Sequence, residues 1–216
     1  MRAAVLFVSL CAAAGCDQPK KSHDDTAPAA PRDPGKRVGI DPDRWTCDVL
    51  TTPAILSEAL GAPARALDNN MPTPPGVPRP CTYVVETSPG HEEAWSYDLD
   101  CRDHALAQAE ILFQQYADDS AAQLEAYHDA SAGKPIKDPD GGILAPPIAS
   151  FEVAVGRRGL DHHGNGLLFV DDDAPCYVRV VGHDAARRLT LAKLIAGKLT
   201  PATAPMRPRY IDAPPT

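Results

Sequence analysis

The N-terminal segment, residues 1–15, constrains the folding of this chain more than any other feature. Arg2 gives it a positive start, residues 3–14 are apolar or small, and Gly15 ends it. A charged start, a short apolar run and small residues at the exit are typical of a secretory signal. The run is too short to span a bilayer, which takes about 20 residues. We therefore expect the rest of the chain to fold outside the cytoplasm, where cysteines become oxidised.

The residues Ala13-Ala14-Gly15 lead directly into Cys16. This small-small-Gly-Cys ending resembles the lipobox of bacterial lipoproteins. The resemblance implies that residues 1–15 are removed as a signal peptide and that Cys16 becomes the lipidated first residue. It also implies a domain held outside the cytoplasm by a lipid anchor in a membrane of the bacterial cell envelope. The alternative is an ordinary signal peptide cut near Ala14, with Cys16 an incidental thiol.

Six cysteines occur in the 216 residues. The lipobox resemblance implies that Cys11 leaves with the signal and that Cys16 carries the lipid, so an even number remains for the exported domain. These four are Cys47, Cys81, Cys101 and Cys176. Two disulfides are the state expected of them. A metal site built from the four cysteines is disfavoured, because no C-x-x-C spacing is present.

The length fits one domain with tails. Residues 16–44 combine the lipidated cysteine with a polar, proline-containing stretch that predicts a disordered linker. The globular domain is expected over residues 45–199, and residues 200–216, with five prolines, are expected to form a loose tail. The formal net charge of -8 gives no electrostatic reason to bind nucleic acid.

Three helices are predicted. The segment 47–61 is the clearest, because Thr52 is a cap residue, Pro53 suits the first helical position, and Gly61 ends the helix. The segment 103–131 is predicted as a helix with Asp103 as its cap and a possible break at residues 118–120. The third helix is predicted over residues 184–199.

Strands are predicted between these helices. The segment 81–101 alternates apolar and polar residues around the turn at residues 88–90, which predicts a hairpin. Residues 150–156 predict a single strand, and residues 166–170 with 176–182 predict a second hairpin. The fold class is therefore α+β, with an antiparallel sheet of about five strands (two hairpins plus one strand) covered on one face by helices and stabilised by two disulfides.

Three short motifs carry a second resemblance: Cys47-Asp-Val-Leu-Thr, Ala59-Leu-Gly and Cys81-Thr-Tyr. Residues 45–200 resemble a group of small bacterial lipoproteins of unknown function with a Cys-x-Leu-Leu-Thr, Ala-Leu-Gly and Cys-x-aromatic pattern. The resemblance implies an exported lipoprotein, brings no catalytic residues, and favours a Cys47–Cys81 disulfide, which leaves Cys101–Cys176. Pairing of the first hairpin about residue 91 suggests the rival set, Cys81–Cys101 with Cys47–Cys176.

The candidate metal ligands are His162, His163 and His183, flanked by Asp161 and Asp184. If Val170 pairs with Cys176 in the second hairpin, the same register sets His163 opposite His183. Imidazole and carboxylate groups at one end of the sheet would suit zinc, copper or nickel. The alternative is that these are solvated residues at loop ends.

No nucleophile elbow, phosphate-binding loop or dinucleotide motif is present, so no catalytic residue, enzymatic activity or cofactor is predicted. The leading hypothesis is a lipid-anchored, non-catalytic domain that binds an unidentified envelope protein or ligand or has a structural role in the envelope. One alternative is a metal-binding lipoprotein that uses the histidine cluster. The other is an envelope hydrolase whose site is assembled by the fold.

Overall fold

The computed structural model describes residues 36–137, 139–162, 164 and 166–211. The α-helices of this part are α1 (Pro53–Leu60), α2 (Ala105–Ser131) and α3 (Ala185–Ala196). The strands, in chain order, are β1 (Lys36–Val38), β2 (Ala64–Leu67), β3 (Cys81–Ser88), β4 (His91–Asp100), β5 (Phe151–Glu152), β6 (Arg158–His162), β7 (Gly166–Val170), β8 (Tyr177–Val181) and β9 (Arg209–Ile211). None of the described helices is long and apolar enough to cross a bilayer.

One antiparallel sheet of seven strands, in the order β2-β3-β4-β8-β7-β6-β5, forms the centre of the domain. The α+β class with an antiparallel sheet is thus confirmed, but the expected number of about five strands is wrong. Both predicted hairpins are present, β3 with β4 and β7 with β8. The strands that the sequence did not reveal are β2, which extends the first hairpin, and β6, which extends the second.

Helices cover both faces of the sheet, so the expectation of a single covered face is wrong. The larger core lies between α1, α3 and one sheet face, and it includes Leu167 and Phe169. A smaller core lies on the other face, where Phe113 and Tyr116 of α2 contact Leu168 and Val170. All five residues of β7 are buried, because α3 packs on one side of this strand and α2 on the other.

The first helix forms as its local signals predict. The side chain of Thr52 accepts a hydrogen bond from the amide of Ile55 at 3.3 Å, and Pro53 occupies the first turn. Gly61 ends the helix in the left-handed conformation, at φ 65°, which a residue without Cβ adopts at little cost. Leu56 and Leu60 are the buried residues of this short helix.

The second helix differs from its prediction in two ways. It runs without a break through residues 118–120, because Ser120 is buried and its hydroxyl accepts a hydrogen bond from the amide of Ser150. Its cap position is His104 rather than Asp103, and the His104 side chain makes no capping hydrogen bond. The expected cap and the expected break are therefore both wrong.

The structure contains the two expected disulfides, and they join Cys47 to Cys81 and Cys101 to Cys176. The rival pairing fails because Cys81 lies opposite Tyr97 in the first hairpin, four residues from the register that would set it opposite Cys101. The first disulfide fastens the segment before α1 to β3. The second joins the end of β4 to the start of β8, across the two central strands of the sheet.

The folded domain extends beyond the expected bounds of 45–199 on both sides. Val38 is buried, and Ala204 and Met206 belong to the larger core. The indole N–H of Trp45 donates to the carbonyl of Thr203 at 2.9 Å, which fastens the segment before α1 to the segment after α3. β1 then pairs antiparallel with β9, so the chain enters and leaves the domain through one two-stranded ribbon.

Candidate functional site

Two regions are candidates for function: the loop ends where the sequence predicts metal ligands, and a cleft beside the second disulfide. In the first region, Asp161 lies on β6, opposite Leu167 of β7. Its carboxylate accepts two hydrogen bonds from the guanidinium of Arg188, at 2.6 and 3.0 Å. Each of the two side chains is only 1% exposed.

The same guanidinium also donates to the backbone carbonyls of Gly182 and His183, just before α3. Arg188 therefore ties α3 to β6 through two hydrogen bonds and to the residues just before α3 through two more. A buried carboxylate is costly unless a charge and hydrogen bonds compensate it. This ion pair supplies that compensation, so the Asp161 carboxylate already has its counter-ion.

The other predicted ligands that the structure describes lie in different surroundings. His162 is buried on the opposite face of β6 from Asp161, and its ring lies 5.4 Å from that of Tyr116. His183 is exposed, and the carboxylate of Asp184 accepts from the amide of Arg187 as the cap of α3. His163 lies outside the described residues. Among the residues that are described, no group of three or more His, Cys, Asp and Glu side chains is arranged to hold a metal ion.

The strand register shows where the described members of the predicted cluster lie relative to β8. The second hairpin pairs Val170 with Tyr177 rather than with Cys176. β6 precedes β7 in the chain and pairs with it antiparallel. His162, at the end of β6, lies opposite Gly166, at the start of β7. Residues 161 and 162 therefore lie two strands from β8. The strand β6 was missed because its buried positions include a charged residue, whose partner lies 27 positions later.

The motif around Cys47 has a structural explanation in this chain. Leu50 and Thr51 are fully buried beneath the first disulfide. The hydroxyl of Thr51 lies 2.8 Å from the hydroxyl of Tyr83 and 2.7 Å from that of Tyr97. Burial raises the pKa of both tyrosines, so they stay neutral. The Cys-x-x-Leu-Thr and Cys-x-Tyr residues thus have a structural role: they fasten the segment before α1 to the sheet.

The cleft beside the second disulfide has a volume of about 580 Å³. Five connecting segments converge on it: those between β1 and α1, before β3, between β4 and α2, between β7 and β8, and before β9. Five prolines form much of its wall, together with one leucine, one methionine and four polar side chains. Its lining residues are Pro42, Pro75, Gly76, Cys101, Arg102, Asp103, His104, Leu106, Pro175, Pro205, Met206, Arg207 and Pro208.

The cleft lining includes two arginines, and one of them already has a carboxylate partner. Arg102 is held by Asp100, which accepts three hydrogen bonds from its side chain and one from its amide. Burial alone would raise the pKa of Asp100, but these bonds outweigh it, and its pKa lies below the usual value. Arg207 is exposed at the opposite wall. The described lining has one carboxylate, Asp103, and one imidazole, His104, but no hydroxyl or free thiol.

No local sequence pattern predicts this cleft. Its prolines lie in segments that were predicted as loop or tail, and nothing local shows that these segments meet. The segment 200–208, expected to be loose, forms one wall because Ala204 and Met206 are anchored in the core. The cleft combines proline-lined apolar walls with the guanidinium groups of Arg207 and of Arg102, which is already paired with Asp100. This arrangement suits a ligand that has an apolar body and an anionic group.

Comparisons with known proteins bring no relative. No family model, no curated protein and no solved structure matches this chain.

Proposed function

We propose that this chain is an exported bacterial lipoprotein, anchored through Cys16, whose domain binds a ligand or partner without catalysis. The observation that carries this proposal is the pair of disulfides inside the domain. Disulfides persist in oxidising compartments and are rare in the cytoplasm. They therefore support export, as the secretory pattern of residues 1–15 does.

A tether from Cys16 would join the described domain at β1. The linker enters the domain at β1, which pairs with β9 at the opposite end of the chain. Residues 16–35 lie between the proposed anchor and β1. Twenty residues in extended polyproline geometry would span about 60 Å. The ribbon of β1 and β9 is thus the end of the domain to which the membrane tether would attach.

Lipidation is tested by producing the full chain in a bacterium fed an alkyne-bearing palmitate, followed by detergent phase partition. We expect the wild type to carry the label and to enter the detergent phase. Cys16→Ala should lose both properties, because no other cysteine follows the Ala-Ala-Gly sequence. Cys11→Ala is the matched control and should keep both. An unlabelled wild type, or a labelled Cys16→Ala variant, would contradict the proposal.

The proposed binding site is the proline-lined cleft, and the proposed ligand has an apolar body and an anionic group. Hexyl phosphate and hexanol share an alkyl chain and differ in charge, so they separate the two contributions. Hexyl phosphate should raise the Tm of the wild type more than hexanol does. Arg207→Gln should reduce that difference, whereas Arg65→Gln, an exposed arginine outside the cleft lining, should preserve it. Equal shifts with both compounds, or no effect of Arg207→Gln, would exclude this site.

A further inference from the structure

The two disulfides differ in how far solvent reaches them. Cys101 is 5% exposed and Cys176 is fully buried, and their bridge joins the end of β4 to the start of β8. In the other bridge, Cys81 is only 1% exposed, whereas Cys47 is partly exposed. Exposed disulfides are the ones that thiols attack most readily. A thiol in solution therefore reaches the Cys47–Cys81 bridge from the side of Cys47.

Cys47 lines a surface depression with a volume of about 280 Å³. Three segments form this depression: the one before α1, the end of β2 with the loop after it, and the residues around the start of β3. Its size suits a small organic molecule or a single side chain rather than a large cofactor. We call it the Cys47 depression. A small thiol that enters it lies beside the exposed end of the disulfide.

The charged side chains that line the Cys47 depression are two carboxylates and one guanidinium. Asp48, the neighbour of Cys47 in the chain, and Asp68 are both exposed there. The guanidinium belongs to Arg79, which lies 3.5 Å from the amide oxygen of Asn70. The lining therefore has a net charge of -1. Such a site attracts a thiol that has a positive charge and repels an anionic one.

Reduction of this bridge would leave Cys47 in place, because other contacts hold its segment. The amides of Leu50 and Thr51 donate to the carbonyl of Cys47 at 3.0 and 2.8 Å, and both residues are fully buried. The hydroxyl of Thr51 lies 2.8 Å from that of Tyr83, which also donates to the carbonyl of Thr51 at 3.0 Å. The two thiols therefore stay close together, and the bridge can open and re-form without unfolding of the domain.

We propose that the Cys47–Cys81 bridge is a thiol–disulfide exchange site whose co-reactant is a small thiol with a positive charge. The thiolate of the co-reactant attacks Sγ of Cys47, the bond to Cys81 breaks, and Cys81 leaves as a thiolate that takes up a proton. A second thiolate then attacks the co-reactant's sulfur in the mixed disulfide and releases Cys47. Two thiols thereby become one disulfide, and the disulfide of the protein becomes two thiols. This activity requires neither the lipid anchor nor the proline-lined cleft.

Reduction by cysteamine, a small cationic thiol, is measured on the full chain carrying Cys11→Ala/Cys16→Ala, which keeps only the four domain cysteines. Alkylation and peptide mass spectrometry then give the rate at each cysteine. We expect Cys47 and Cys81 to be alkylated at least tenfold faster than the cysteines of the second disulfide, with the cysteamine adduct on Cys47 and native circular dichroism throughout. Equal rates at both disulfides, an adduct on Cys81, or loss of the native spectrum as this bridge opens would overturn the proposal.

The charge of the co-reactant is tested with 2-mercaptoethanesulfonate, which has the two-carbon chain of cysteamine but is anionic. At low salt, Asp48→Asn should slow reduction by cysteamine about threefold and accelerate reduction by the sulfonate about threefold. Comparison of each thiol with itself cancels the difference between their own pKa values. Glu58→Gln removes an exposed carboxylate of α1 outside the depression and should change neither rate. Changes in the same direction for both thiols, or equal effects of the two variants, would overturn the assignment of a cationic thiol.

Discussion

Replacing Arg188 by methionine should destabilise the domain more than replacing any exposed arginine. The substitution keeps an unbranched side chain of similar length but removes the guanidinium. Asp161 would then be a buried carboxylate with neither of its two hydrogen bonds from Arg188. The carbonyls of Gly182 and His183 would lose their donor as well.

The expected loss can be worked out from these contacts. Removal of one partner from a buried ion pair costs about 3–5 kcal/mol. Each lost hydrogen bond to a carbonyl adds about 1 kcal/mol. We therefore expect Arg188→Met to lower the free energy of unfolding by about 5 kcal/mol, a large share of the 5–15 kcal/mol typical of a domain.

Urea denaturation followed by tryptophan fluorescence measures this loss. The matched control is Arg65→Met, which breaks an ion pair with Glu92 whose two side chains are 59% and 52% exposed. Such pairs contribute at most about 1 kcal/mol. The double variant Asp161→Leu/Arg188→Met removes both charges and should recover about 3 kcal/mol, even if Arg188→Met alone does not fold. The reasoning is refuted if Arg188→Met costs no more than Arg65→Met, or if the double variant recovers nothing.

Three further predictions concern other buried contacts. Thr51→Val removes the hydroxyl shared by two buried tyrosines and should cost about 2 kcal/mol in urea denaturation; a cost below about 0.5 kcal/mol would contradict the network. Arg102 lowers the pKa of Asp100 in the folded state. The ionised Asp100 therefore stabilises the fold above the unfolded pKa of about 3.9, and this stabilisation is lost as the pH falls below that value. The stability deficit of Asp100→Asn should therefore be constant near neutral pH and shrink below about pH 4, and a deficit that grows there would contradict this sign. Cys101→Ala/Cys176→Ala opens a loop with a sequence separation of 75 and should cost about 4 kcal/mol in urea, whereas an unchanged transition would show that the disulfide does not constrain the unfolded chain.

The elements that the sequence predicts well are those fixed by neighbouring residues. α1 needs only Thr52, Pro53 and Gly61, which act within one turn of the helix ends. In β4, the alternation of buried Trp95 and Tyr97 with polar neighbours follows from the pleat of a strand with one solvated face.

The elements that escaped prediction depend on partners far along the chain. β6 buries Asp161, which reads as a loop residue until Arg188 compensates it. β1 exists only because it pairs with β9 at the other end of the sequence. The run Gly166–Val170 is apolar throughout, a signal that both faces of β7 are covered. The expectation of a single covered face is inconsistent with this apolar run.

The candidate site was predicted only in part, for the same reason. The sequence indicated Asp161 and His183 as candidate ligands. In the structure both accept hydrogen bonds from the guanidinium of Arg188, Asp161 through its carboxylate and His183 through its backbone carbonyl. The cleft was not foreseen, because it exists only where five segments that are distant in sequence meet, four of which contribute prolines.

The most direct test of the account is intact-mass and N-terminal peptide analysis of the chain extracted from bacterial membranes. We expect a protein that begins at Cys16, carries acyl groups on that residue, and is four hydrogens lighter than its reduced form because of two disulfides. An unacylated protein that begins at another residue, or one with four alkylatable thiols, would contradict the proposal of an exported, lipid-anchored, disulfide-bonded domain.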